Sequence, residues 1–142
     1  MLLRVLAVGK LKDARVSGLC DEYVVRSRTL VPIERVECKS PREQWQRAGD
    51  GAAIVVLLDE RGQQLDSVAL ARWIAAWQGE GRRRVDFLVG DADGYDDTAR
   101  ARADRLLALS RLTLPHRLAQ LILCEQLYRA GTILAGHPYH HV

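Results

Sequence analysis

The sequence predicts an α/β fold, a mostly parallel sheet with helices on both faces, forming a single domain over residues 1–142. Three observations predict it. Short runs of valine, leucine and isoleucine alternate with stretches whose apolar residues recur at helical spacing, as in strand–helix–strand units. Two of the runs, Ala52–Leu58 and Val85–Val89, are apolar almost throughout, as strands covered on both faces are. A chain of 142 residues with 48% hydrophobic side chains is enough for one core.

The elements follow in order. Leu2–Val8 reads as the first strand, and Val16, Leu19, Cys20, Tyr23 and Val24 then recur at helical spacing. Ile33–Cys38 is a second strand between Pro32 and Pro41, and residues 42–48 form a short helix. Ala52–Leu58 is the third strand, followed by a turn at Asp59-Glu60-Arg61-Gly62. Asp66 or Ser67 caps a helix carrying Leu70, Trp73, Ile74 and Trp77. Val85–Val89 is the fourth strand, and Gly90-Asp91-Ala92-Asp93-Gly94 is the loop after it. Asp96 or Asp97 caps an arginine-rich helix, and Leu106–Leu109 is a short last strand. Pro115 suits the first turn of a helix, where its missing N–H costs nothing. That helix places Leu118, Leu121, Ile122 and Tyr128 on one face and ends at Gly136. In such sheets ligands sit beyond the carboxyl ends of the strands. The segments after Leu58, after Val89 and at Ser110–His116 are therefore candidate site loops.

Composition narrows the class. No apolar run approaches the ~20 residues of a membrane span, and the N-terminus lacks a basic leader and a small-residue cleavage site. Three cysteines, Cys20, Cys38 and Cys124, with no CxxC pair argue against a disulfide framework or a zinc site and fit a reducing cytoplasm. The net charge is +3, unevenly placed: residues 100–142 hold six arginines and all four histidines against Asp104 and Glu125. This basic third fits either a phosphate-facing surface or a solvated helix face.

Several signatures fail. Gly9-Lys10 lacks the rest of a phosphate-binding loop, there is no GxGxxG or GxSxG, and the loop at Asp91 has Arg102 where a calcium loop needs glutamate. His140-His141 make a weak metal site, and none is expected. Two segments stand out. Leu112-Thr113-Leu114-Pro115-His116 enters a helix whose first N–H groups are free for a ligand, although a plain strand-to-helix junction reads the same way. The tail His137-Pro138-Tyr139-His140-His141 concentrates ring side chains where chain ends normally fray.

From about Val85 to Val142 the chain resembles the ribosomal large subunit methyltransferase H family of the SPOUT superfamily. The matching residues are Ser110-x-Leu112-Thr113-Leu114-Pro115-His116, Glu125-Gln126-Leu127-Tyr128-Arg129-Ala130 and His137-Pro138-Tyr139-His140. Leu6-Ala7-Val8-Gly9-Lys10 and Leu57-Leu58-Asp59-x-x-Gly62 extend the likeness over most of the chain. The resemblance implies a SPOUT-type sheet with a C-terminal trefoil knot, a homodimer and S-adenosyl-L-methionine as cofactor. The implied reaction is methylation of N3 of a pseudouridine in large-subunit ribosomal RNA on assembled ribosomes. By position, the cofactor contacts fall at Leu58, Gly90, Asp91, Arg111, Leu112, Thr113, Leu114, Pro115 and His116. N3 must lose its proton, and histidine is the natural base near neutral pH, which points to His140 or His137. Arg129 can stabilise charge or grip phosphate, and Tyr139 can stack on the base.

Three departures from the family pattern matter. Asp91 stands where a second glycine is typical, Gly131 where an aromatic residue is often found, and the segment between Cys38 and Ala52 is short. Asp91 and Gly131 favour the alternative, a catalytically weak or inactive ribosome-associated binding protein with the same fold.

Overall fold

Five strands form one sheet in the order β2-β1-β4-β3-β5, with every neighbouring pair parallel. The computed structural model describes residues 1–140 of the chain. The strands are β1 (Leu2–Val8), β2 (Ile33–Cys38), β3 (Ile54–Gln64), β4 (Arg84–Val89) and β5 (Arg105–Ala108). The helices are α1 (Ala14–Arg26), α2 (Pro41–Arg47), α3 (Ser67–Gly79), α4 (Asp97–Arg102) and α5 (His116–Ala135). Alternating side chains of the strands feed two cores, because successive residues point to opposite faces. Leu3, Val5, Val56, Val85 and Phe87 pack under α1, α3 and α5. Leu6, Val55, Leu57 and Leu88 pack under α2 and α4 with Trp45 and Ala99.

The helices begin where short polar side chains meet free N–H groups. Asp13 caps α1, Ser40 caps α2, Asp66 caps α3 and Asp96 caps α4, the last two settling the paired alternatives of the sequence. α5 is the exception: Pro115 is its N-cap, not a first-turn residue, and no side chain caps it. Its inward face also differs from the expected one. Gln120, Leu123, Cys124, Leu127, Tyr128 and Gly131 are buried, Leu118 is exposed, and Leu121 and Ile122 are half-buried. α5 packs between α1 and α3. Its buried stripe therefore includes small and polar residues, such as Gln120 held by Arg35 at 3.1 Å, which a hydrophobic count passes over. Leu19 of α1, expected on the inner face, is 45% exposed.

β3 begins at Ile54, since Asp50–Ala52 form a tight turn with Ala52 at φ 64°. It runs past Leu58 to Gln64. Leu58 and Gln63 both pair with Leu107, so Asp59–Gly62 leave the ladder between them. The expected turn exists, as a bulge inside the strand. The last strand sits one residue earlier than expected, at Arg105–Ala108.

Candidate functional site

The strand order opens a crevice at one place. β3 leads to α3 on the first face and β4 leads to α4 on the second, yet the two strands are neighbours. Their outgoing chains diverge, and ligands bind at such a reversal. Here the crevice is a cleft of about 370 Å³. Three segments line it: Leu58–Glu60 at the bulge inside β3, Val89–Tyr95 at the end of β4 and beyond it, and Leu109–His116 between β5 and α5. Among the expected cofactor residues, Leu58, Gly90, Asp91, Leu112, Thr113, Leu114 and His116 line this one cleft. Arg111 and Pro115 belong to the same segment without lining it.

Arg100, which sequence reasoning missed, ties the loops together. Its guanidinium donates to the Asp59 carboxylate at 2.9 Å, to Asp97 at 2.8 Å and to the Tyr95 carbonyl at 2.6 Å. Burial pushes the Arg100 pKa down, but its two carboxylate partners outweigh that and hold it above the ordinary value. Asp97 lies at helical spacing from Arg100, but no local pattern announces Asp59, 41 residues away.

A second brace comes from Gln44 on α2. Its amide donates to the Leu6 carbonyl at 2.8 Å and the Val89 carbonyl at 3.0 Å, and its oxygen accepts from the Tyr95 hydroxyl at 3.0 Å. Burial drives the Tyr95 pKa far above the usual tyrosine range, so the hydroxyl stays a neutral donor. The Tyr95 ring in turn covers Gly90, where an added Cβ would sit 3.0 Å from it.

Asp91 does not need glycine's conformational freedom, since its φ is not positive. Its carboxylate accepts from the Asp93 N–H at 3.0 Å, an Asx turn that folds the side chain onto its own loop. Gly131 is not among the cleft residues. It faces Leu30 and Val31, where an added Cβ would meet Leu30 Cβ at 3.3 Å. Gly131 is a packing feature of α5 and takes no part in this cleft.

The cleft suits the expected cofactor. Its volume lies in the ~300–1,000 Å³ range of small-molecule sites. Leucines 58, 109, 112 and 114 offer apolar surface for an adenine ring, and Asp91 and Glu60 offer negative charge for cationic groups. The uncapped first turn of α5 supplies N–H groups for a carboxylate.

The candidate catalytic residues assemble elsewhere, at the far end of α5. Glu125 organises them: it accepts from Arg129 Nε at 2.9 Å and from the Tyr139 hydroxyl at 3.0 Å. The Arg129 guanidinium sits 4.9 Å from the Tyr139 ring centroid, and Tyr139 meets Tyr128 edge-on at 4.7 Å. Burial, with Tyr23 and Glu125 adding to it, raises the Tyr139 pKa far above the usual range. His137 follows Gly136, whose φ of 70° ends the helix, and its Nδ1 accepts from the Tyr139 N–H at 3.2 Å. The His140 side chain, His141 and Val142 lie outside the described residues. From His116 to Arg129 is thirteen residues, ~20 Å at the helical rise of 1.5 Å per residue. Within one chain the docked Tyr139 therefore does not lie over the cleft. Among the described residues, no three His, Cys, Asp or Glu side chains converge to hold a metal, and no helix is long and apolar enough to cross a membrane.

Known proteins match this chain. The family model described as "Predicted SPOUT methyltransferase" covers residues 1–140. A protein of Rhizorhabdus wittichii named ribosomal RNA large subunit methyltransferase H is 41% identical, over 99% of this chain and 98% of its own. A protein of the same name from Thermus thermophilus is 46% identical over the same shares. A solved structure from Haemophilus influenzae Rd KW20, described as a "probable methylase family protein", superimposes with a TM-score of 0.61 at 12% identity. It covers 94% of this chain and 68% of that one, a likeness of fold alone. The chain belongs to the SPOUT methyltransferases, in the family of proteins named ribosomal RNA large subunit methyltransferase H.

Proposed function

We propose that this methyltransferase uses S-adenosyl-L-methionine to methylate N3 of a pseudouridine in large-subunit ribosomal RNA on assembled ribosomes. The observation that carries the reading is the convergence of three separate segments, at the bulge of β3, after β4 and before α5, on one cleft at the edge of the sheet. Leu58, Gly90, Asp91 and the Arg111–His116 segment would hold the cofactor there. When bound, the cofactor supplies an electrophilic methyl group on a sulfonium. The chain's own groups do the rest: His140, or His137, takes the N3 proton, Arg129 stabilises the developing charge or grips a phosphate, and Tyr139 stacks on the base.

The separation of cleft and tail along α5 supports a symmetric homodimer. A two-fold axis makes the same patch meet itself. Two copies of α5 crossing antiparallel bring one subunit's tail toward the other's cleft. Leu112, Leu118 and Leu134, exposed by 76%, 39% and 38%, are the apolar side chains such an interface would cover. We read residues 1–142 as one cytoplasmic SPOUT domain. Its C-terminal segment is threaded as a trefoil knot, a reading supported by its membership of the SPOUT methyltransferases.

Mass spectrometry of ribosomal RNA from a strain lacking the protein tests the reaction: the N3-methyl mark disappears and returns on complementation. An unchanged RNA refutes it. A monomer by light scattering at micromolar concentration refutes the dimer.

A further inference from the structure

A second groove lies on the other side of the loop that closes the cleft. It runs between α2 and α4 on the second face of the sheet, has a volume of about 700 Å³, and shares Asp93, Gly94 and Tyr95 with the first cleft as a common wall. Trp45 forms part of its floor, half-buried, and the Arg102 guanidinium lies over the indole at 4.2 Å from the ring centroid. Arg42 stands in the same groove. Among the described residues neither Arg42 nor Arg102 makes an ion pair, although most arginines of this chain do.

We propose that this groove binds an unpaired nucleotide of the RNA substrate next to the one being modified. The proposal rests on the reading of the first cleft as the methyl-transfer site. An aromatic ring with a guanidinium plane is the platform on which single-stranded bases stack, and unpaired arginines are the partners a phosphate takes. The groove is also lined by Asp93 and Asp96. One oxygen of Asp96 caps α4, accepting from the Ala99 N–H at 2.8 Å. A carboxylate wall repels a bare phosphate chain but accepts hydrogen bonds from a base's amino group. The groove therefore suits a nucleotide seated base-inward, and prefers adenine, whose amino group offers two N–H bonds and whose larger ring stacks more strongly, over uracil with its single imide N–H. The shared wall sets the two sites one loop apart, so a strand whose target base reaches the cofactor at the mouth of the first cleft can place a neighbouring nucleotide in the second.

The test measures binding of labelled single-stranded oligoadenylate and oligouridylate to the full chain by fluorescence anisotropy, with S-adenosylmethionine affinity measured by calorimetry on the same preparations. The double variant R42E/R102E changes only exposed side chains and should weaken oligoadenylate by about tenfold or more, the scale of one stacked, charge-assisted base. W45A should do the same and W45F should retain most of the affinity. A charge-matched R28E/R72E variant, on other elements, should lose much less, and S-adenosylmethionine affinity should not move in any of them. Oligoadenylate should bind more tightly than oligouridylate.

The proposal fails if the wild-type protein binds neither oligonucleotide. It fails equally if R42E/R102E binds oligoadenylate as the parent does, or if R28E/R72E loses as much. Loss of ribosome binding with oligonucleotide binding intact assigns the groove to a ribosomal protein and also overturns it. A protein that binds oligoadenylate through the groove but never binds S-adenosylmethionine overturns the reading of the first cleft and leaves this one standing.

Discussion

Gly62 holds the entrance of the cleft together, and Gly62→Ala should show it. The residue sits at the end of the bulge in β3 without a positive φ, so turn conformation is not what requires glycine. Space is. A Cβ there would lie 2.6 Å from the Leu106 carbonyl carbon and from the Leu107 nitrogen, against 3.4–4 Å for ordinary contact. Both atoms are backbone, so β5 must shift by roughly 0.8 Å, the gap between 2.6 and 3.4 Å. Overpacking of this kind costs ~1–3 kcal/mol. Straining the resumed pairing of Gln63 and Gln64 with Leu107 and Ala108 adds about 1 kcal/mol per weakened hydrogen bond. A loss near 3 kcal/mol corresponds to a melting temperature lower by about 10 °C in a domain of this size. Calorimetric unfolding measures it, and Gly18→Ala is the control. Gly18 lies inside α1 with open space around it, so alanine there should stabilise by up to ~1 kcal/mol. S-adenosylmethionine affinity should also fall in Gly62→Ala, because Leu107, Leu109 and Ser110 line the cleft. A variant that melts within about 2 °C of the parent and binds the cofactor equally well refutes the reasoning.

Three more outcomes follow from the site. Arg100→Met should weaken S-adenosylmethionine by about tenfold or more in calorimetry, since it frees Asp59 and the Tyr95 carbonyl together; unchanged affinity would mean the loops hold without it. Asp91→Gly should change that affinity by about tenfold or less, because the carboxylate is already satisfied by its own loop; activity that appears only in the glycine variant would revive the inactive-protein reading. Deleting residues 139–142 should cut turnover on ribosomes by about a hundredfold or more while cofactor binding falls much less, as the tail docks at the far end of α5 from the cleft. Full-rate methylation by the truncated protein would reduce the tail to a packing element and leave Arg129 as the leading candidate.

Local order was legible in the residues themselves. Strands at Leu2–Val8 and Ile33–Cys38 and the caps of α3 and α4 follow from alternation, helical spacing and short polar side chains, all properties of neighbours in sequence. The motif around Leu112–His116 and the loop at Gly90-Asp91 could be singled out for the same reason. Tertiary structure decided what depends on contacts between distant segments. It set the strand order that opens the crevice between β3 and β4, and the pairing of Arg100 with Asp59. It also set the Gln44 brace, the inward face of α5, and the approach of β5 that makes Gly62 a matter of space and not of conformation. Periodicity reports which side of an element is apolar, but it carries no record of which other element will cover that side. Only packing fixes that, and with it the distance between the cleft at one end of α5 and the tail at the other.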